Sequence, residues 1–213
     1  MSVQLGIYDF FARIIPGGLY IIIAVFFLNE IGLLVVDFYS ISLSVIQLLV
    51  FTFAAYILGS IMDFLAVKMW ARFFTPKSTI ELEWKRFKNR YNLDAKLRAE
   101  DWTILFAYVK KEKTELAETI TKNSVTQVML RNISFGLLLF AILLGALLVQ
   151  NFSIARLIYS IISFFFSIIA MNQSVKFRRW FYSSIFQAFV ACSRKPSDFI
   201  SEDIDTHSKN SDS

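Results

Sequence analysis

The residue with the most chemical potential in this sequence is Asp63, a carboxylate set inside a long apolar run. Thr52, Tyr56, Gly59 and Asp63 recur at spacings of four, three and four, so they share one face of a helix, with Ser60 on its flank. A carboxylate facing lipid costs at least a few kcal/mol, so it must meet protein, water or a cation. Two readings fit it. In one it lies near the end of its span and pairs with Lys68 or Arg72 at the interface. In the other it serves an ion pathway or gate. A second pattern runs through Ser160, Ser163, Ser167, Ala170 and Ser174, at spacings of three, four, three and four. Small residues on one helix face let another helix approach closely, and their hydroxyls can hydrogen-bond across the gap. The same face would also suit a pore lining.

Weaker signals accompany these. Ala55 and Gly59 are four apart, as are Ala141 and Gly145, the spacing of close helix contacts. Asn29 and Glu30 close the first apolar run and are expected at the outer interface, with Ile31 to Val36 along it. The single Cys192 and single His207 cannot build a structural zinc site, and a lone Cys forms no intrachain disulfide. Phosphate-loop, dinucleotide-binding and zinc-protease motifs are missing from the sequence, as is a serine nucleophile elbow. The expectation is a non-enzymatic protein with no cofactor and no metal. A lipid-modifying enzyme would have only Asp63, Glu30 and scattered serines to work with.

These residues need spans to carry them. The chain has 213 residues, 56% of them hydrophobic, with 23 Phe and only 18% charged, which is apolar for a soluble domain. A helix needs about 20 apolar residues to cross the hydrocarbon core. Four segments qualify: Ile14 to Val36, Leu43 to Val67, Ile133 to Val149, and Leu157 to Met171 or as far as Ser174. The first is read as a retained span rather than a cleaved signal, because Asp9 precedes Arg13 and the apolar run is too long. Pro16-Gly17-Gly18 is expected at its start, after an amphipathic lead holding Tyr8, Phe10 and Phe11. The alternative is a re-entrant helix broken there. Fourteen Lys and Arg lie between Lys68 and Arg131, whereas the turn between the first two spans has none and that between the last two has only Arg156. The positive-inside rule therefore puts the polar segment and both termini in the cytoplasm. The net charge of +5 then suits an anionic membrane surface better than nucleic acid.

The predicted fold is all-α: a polytopic membrane protein with four transmembrane helices, a helical cytoplasmic segment between spans two and three, and a disordered C-terminal tail. Residues 1–67 hold the first two spans and 68–131 the cytoplasmic segment. Residues 132–174 hold the last two spans, 175–192 an amphipathic helix and 193–213 the tail. Lys68, Trp70 and Arg72, with Phe73 and Phe74, are expected at headgroup level, as are Lys176, Arg178, Arg179 and Trp180. Pro76 should end the second span's helix. Thr79 to Tyr91 reads as a short helix with Leu82, Phe87 and Tyr91 on its apolar face, broken at Asn92-Leu93-Asp94. A longer helix is expected from an N-cap at Asp101 toward span three, with Ile104, Leu105, Tyr108 and Val109 as its stripe. From Lys176 to Cys192, the residues Phe177, Trp180, Phe181, Ile185 and Phe189 recur near helical spacing, for the membrane surface or for packing. No internal repeat supports a transporter.

The short lead into Pro16-Gly17 and the Arg131-Asn132 step into span three resemble the layout of small four-span bacterial inner-membrane proteins, among them membrane subunits of antiphage defence systems such as Kiwa. The resemblance covers the arrangement of spans, and no functional residue is carried over. It implies a membrane sensor or effector working with a soluble cytoplasmic protein. The small-residue stripes add the expectation of a homo-oligomer embedded in membrane lipids, binding no nucleic acid directly. The rival expectation is an ion-conducting or permeabilising channel lined by span two or span four, with Asp63 near its mouth.

Overall fold

A computed structural model describes residues 3–34, 44–71, 76–91 and 101–192. The described residues form six helices and no strand: α1 (Val3–Glu30), α2 (Val45–Ala71), α3 (Pro76–Tyr91), α4 (Trp102–Glu112), α5 (Thr114–Gln150) and α6 (Ile154–Cys192). Four of them, α1, α2, α5 and α6, are long and apolar enough to cross a membrane. Arg72, Phe73, Phe74, the Asn92-Leu93-Asp94 break, and the tail with His207 lie outside the described residues.

The chain divides into two compact units. Unit 1 contains residues 1–74 and 122–178, and unit 2 contains 75–121 and 179–213. In unit 1, α1 and α2 cross so closely that a side chain at either crossing glycine would strike backbone. A Cβ on Gly17 would lie 1.8 Å from the Ala55 carbonyl oxygen, and one on Gly59 would lie 2.1 Å from that of Arg13. Pro16 is fully buried beside this crossing. It does not open the span, as the sequence suggested. α1 begins at Val3 and runs through Pro16 without interruption, so the amphipathic lead and the span are one helix. Proline removes one N–H, leaving the carbonyl of Ala12 without its helical donor. Membrane helices tolerate that loss where neighbours pack tightly. On α5, Gly136 packs under Leu19 and Tyr20 of α1, while Tyr20, Ala66 and Phe135 form a small core with Leu58, Met62 and Leu139. The outward faces of α2 and α6 stay apolar and exposed, with Phe53, Phe64, Phe165 and Phe166 among them. Such faces suit lipid and would be costly in water.

In unit 2, α3, α4, the start of α5 and the end of α6 enclose an aromatic core. Trp84, Phe87, Leu105, Val109, Ile120, Tyr182, Ile185 and Phe186 are buried in it. Trp84 meets Phe186 with ring centroids 4.9 Å apart, and Trp102 meets Tyr182 edge-on at 5.6 Å. These geometries add about 0.5–1.5 kcal/mol per pair beyond area burial.

The expected faces are met in part. On α3 the buried residues are Glu83, Trp84 and Phe87, with Leu82 exposed. On α4 the stripe is Leu105 and Val109, with Ile104 exposed. On α6 the expected Ile185 is buried in the core and Phe181 and Phe189 pack against it, joined by Tyr182 and Phe186, while Trp180 is exposed. Pro76 opens α3, where its missing N–H would be unpaired anyway, and the helix starts three residues before Thr79. Asp101 precedes α4 but makes no capping hydrogen bond through its side chain. The single helix expected after Asp101 is two, because the chain turns at Lys113, whose N–H donates to the Val109 carbonyl (2.8 Å). Residues 175–192 form no separate helix but continue α6, and Tyr182, Ile185 and Phe186 are buried in the unit 2 core. Nor does a helix boundary fall at 131, since α5 begins at Thr114.

Candidate functional site

The polar residues of unit 1 gather in two belts. At one, Glu30 at the end of α1 pairs with Arg156 at the start of α6, and Arg156 also donates to the Asn151 carbonyl (3.2 Å). At the other, Arg131 of α5 donates from Nη2 to Oδ1 of Asp63 on α2 at 2.6 Å. Helical rise sets the spacing between the belts. The serine bonds set Ser160 level with Ala141, Ser167 with Ser134 and Ser174 with Gln127, so Arg131 lies level with Ala170 of α6. From Ala170 to Arg156 is about 21 Å at about 1.5 Å per residue. The two belts therefore stand closer together than the about 30 Å of a bilayer's hydrocarbon core.

The sequence marks Asp63 but offers Lys68 or Arg72 as its partner. The structure supplies Arg131, 68 residues away in the chain. Lys68 is exposed, and Trp70 is half-buried. The pair ties α2 to α5, with side-chain exposures of 26% for Asp63 and 14% for Arg131. Next to it, Tyr20 of α1 donates its hydroxyl to the main-chain carbonyl of Asn132 on α5 (2.7 Å). The Asn132 side chain is fully buried, and neither its Nδ2 nor its Oδ1 has a hydrogen-bond partner among the described residues; Arg131 Nε is in the same position. On the other side, Arg13 of α1 donates to the Tyr56 hydroxyl (3.0 Å) and lies over its ring, which also meets Phe10. Lys122 of α5 sits over the Tyr8 ring at 5.4 Å. Three spans therefore meet through charged and aromatic groups spread over about 13 Å along α5, from Lys122 to Arg131.

The face expected on α2 is split by the structure. Tyr56, Gly59 and Asp63 engage α1 or α5. Thr52 instead donates to the Leu48 carbonyl of its own helix (2.8 Å), and Ser60 likewise to Tyr56 (2.8 Å). The serine face of α6 lies along α5. Ser160 donates to the Ala141 carbonyl (2.9 Å), and Ser174 to that of Gln127 (2.9 Å). Between them Ser167 donates to the Ser134 carbonyl (2.7 Å) while Ser134 donates to that of Ser167 (2.8 Å), a reciprocal clasp with both residues buried. Ser163 is buried in the same seam. Gly145 differs from Gly59: among the described residues nothing lies within 4 Å of a Cβ built on it, so its close-contact spacing is not used by them. Lys176, Arg179 and Trp180 are exposed and Arg178 is half-buried, whereas Arg72 lies outside the described residues.

Sequence reasoning did not single out Tyr20, Asn132, Ser134, Gly17 or Arg131 as partners. The signal available was the polar triplet Arg131, Asn132 and Ser134 at the edge of an apolar run. Among the described residues no group of three or more His, Cys, Asp or Glu side chains could hold a metal ion. The groups present bind helices to one another: a carboxylate is neutralised by a guanidinium, and hydroxyls are satisfied by carbonyls. No family model matches the chain, and no curated protein or solved structure is similar to it.

Proposed function

We propose that this chain is a multi-pass bacterial inner-membrane protein, non-enzymatic, that self-associates and couples the bilayer to a soluble cytoplasmic partner as a sensor or scaffold. The observation that carries the reading is the length of two helices. α5 has 37 residues and α6 has 39, about 56 and 58 Å at about 1.5 Å per residue, against a hydrocarbon core of about 30 Å. Each supplies a span to unit 1 and core residues to unit 2 without a break. Unit 2 is small and is described without a disulfide, and a domain of that size gains little from its own core. Its aromatic core is built on the two helices that the membrane would hold. The continuity of α5 and α6 is the link by which, on this reading, the bilayer acts on unit 2.

The basic residues of the 68–131 stretch support a cytoplasmic unit 2 and cytoplasmic termini. The antiphage setting rests on the resemblance in layout alone. The channel reading has less support, since the serines of α6 are bonded to α5 carbonyls and Asp63 is neutralised by Arg131.

Self-association is tested by the mass of the purified chain in nanodiscs. An oligomer is expected, with Gly145→Leu shifting it toward monomer at an unchanged thermal midpoint. A monomer at every concentration overturns that part. Capture of one soluble protein from the native host, lost on reversing the exposed charges of Lys110 and Lys111, supports the partner. Failure to capture any partner after crosslinking overturns it.

A further inference from the structure

In unit 2, α3 and α6 enclose an open groove of about 500 Å³. Glu83, Arg86, Asn89 and Arg90 of α3 form one lip, and Ser183 and Gln187 of α6 form the other. The volume lies in the range of small-molecule sites. Phe87 also lines the groove, and it belongs to the aromatic core, so the groove is backed by packed structure.

The charges in this groove do not balance. Arg86 donates to Glu83 at 2.7 Å; the Glu83 side chain is 9% exposed, and that of Arg86 is 60% exposed. Arg90, one turn further along α3, has no ion-pair partner among the described residues. Two guanidinium groups four residues apart on one helix face repel each other by a few tenths of a kcal/mol. One carboxylate against two guanidiniums leaves a formal excess of one positive charge.

Donors are also in excess. A guanidinium carries five N–H donors in a planar fork, and Arg86 uses one end of its fork on Glu83. Gln187 donates to the Ser183 hydroxyl oxygen (3.2 Å), which leaves that hydroxyl's own proton and the second amide hydrogen available. The Asn89 amide adds two more. The carbonyl end of α3 does not favour an anion, so recognition falls to the side chains. Guanidinium forks, amides and a hydroxyl facing a cleft with surplus positive charge match a tetrahedral oxyanion with several acceptor oxygens.

We propose that the α3–α6 groove binds a phosphate group, carried either by a soluble phosphate ester or by an anionic lipid headgroup. The site stands on unit 2 alone and does not depend on self-association or on a protein partner.

The test uses the full chain in lauryl maltoside, which carries no phosphate, at constant ionic strength. Inorganic phosphate and glycerol 3-phosphate are titrated calorimetrically, and short-chain phosphatidylglycerol is added in native mass spectrometry. Saturable binding of either soluble probe assigns a soluble ester. Retention of phosphatidylglycerol without binding of the soluble probes assigns a lipid. In both cases Arg90→Ala should weaken binding about tenfold or more, the loss of one charge-assisted fork. Gln187→Ala on the opposite lip should weaken it by a smaller factor, and the thermal midpoints of both variants should match wild type. No saturable binding of any of the three probes overturns the proposal. So does binding unchanged by either substitution.

Discussion

The Asp63–Arg131 pair gives the most quantitative handle on unit 1. Two unit charges about 4 Å apart attract by about 4 kcal/mol at an effective dielectric of about 20. Desolvation of both groups opposes this, and the partial exposure of the pair, 26% and 14%, admits screening. The expected net coupling is about 1–3 kcal/mol. Removing one partner costs more than the coupling alone, because it strands the other charge, partly buried between α2 and α5. Arg131→Ala strands a carboxylate, and Asp63→Ala strands a guanidinium whose Nε is already without a partner among the described residues. Each single variant should therefore lose about 2–4 kcal/mol, and the double variant should lose less than the sum. The assay is unfolding of the reconstituted protein by denaturing detergent, with wild type, both single variants and the double closing a cycle. Exchanging the two residues should recover part of the loss. Strictly additive losses, with coupling below about 0.5 kcal/mol, would refute the view that this pair joins α2 to α5.

Other perturbations probe separate links. Gly59→Ala places a Cβ against the Arg13 carbonyl, where there is 2.1 Å of room, so α1 and α2 must separate. A loss of about 3 kcal/mol or more in the unfolding assay is expected from such overpacking. Asn132→Leu removes a buried amide with no described partner and should raise stability by about 1–2 kcal/mol. A comparable fall would show that a bound water or ligand satisfies it. Phe186→Ala empties the centre of the unit 2 core, for an expected cost of about 3–5 kcal/mol, read as early loss of near-ultraviolet dichroism from Trp84 and Tyr182.

The sequence made one member of each interaction visible and hid the other. Asp63 stands out because a carboxylate in an apolar run is rare, but Arg131 looked like the end of a basic segment. The serine seam is visible from its helical spacing. Its acceptors on α5 are main-chain carbonyls of Ala141, Ser134 and Gln127, which carry no residue signature. Small-residue spacing marks close approach without naming the neighbour: Gly59 meets α1, whereas Gly145 meets nothing among the described residues. Pro16-Gly17 looked like a helix start because proline favours that position, yet buried packing overrides the local preference. The continuity of α5 and α6 was hidden for a related reason. The change from apolar to charged residues suggests the end of a span followed by a separate helix, whereas Lys and Glu are good helix formers and α5 and α6 run through it unbroken. In unit 2 the expected Phe87, Leu105, Val109 and Ile185 do reach the core, while Trp84, Tyr182 and Phe186, which the spacing did not single out, supply much of its aromatic bulk.

The central claim is that the membrane helices and unit 2 respond together. Hydrogen exchange of the protein in nanodiscs, wild type against Asp63→Asn, tests it most directly. Coupling through continuous helices predicts faster exchange in α2 and in residues 122–150 of α5, and also in α4 and residues 179–192 of α6. Faster exchange confined to α2 and residues 122–150, with unit 2 unchanged, would contradict it.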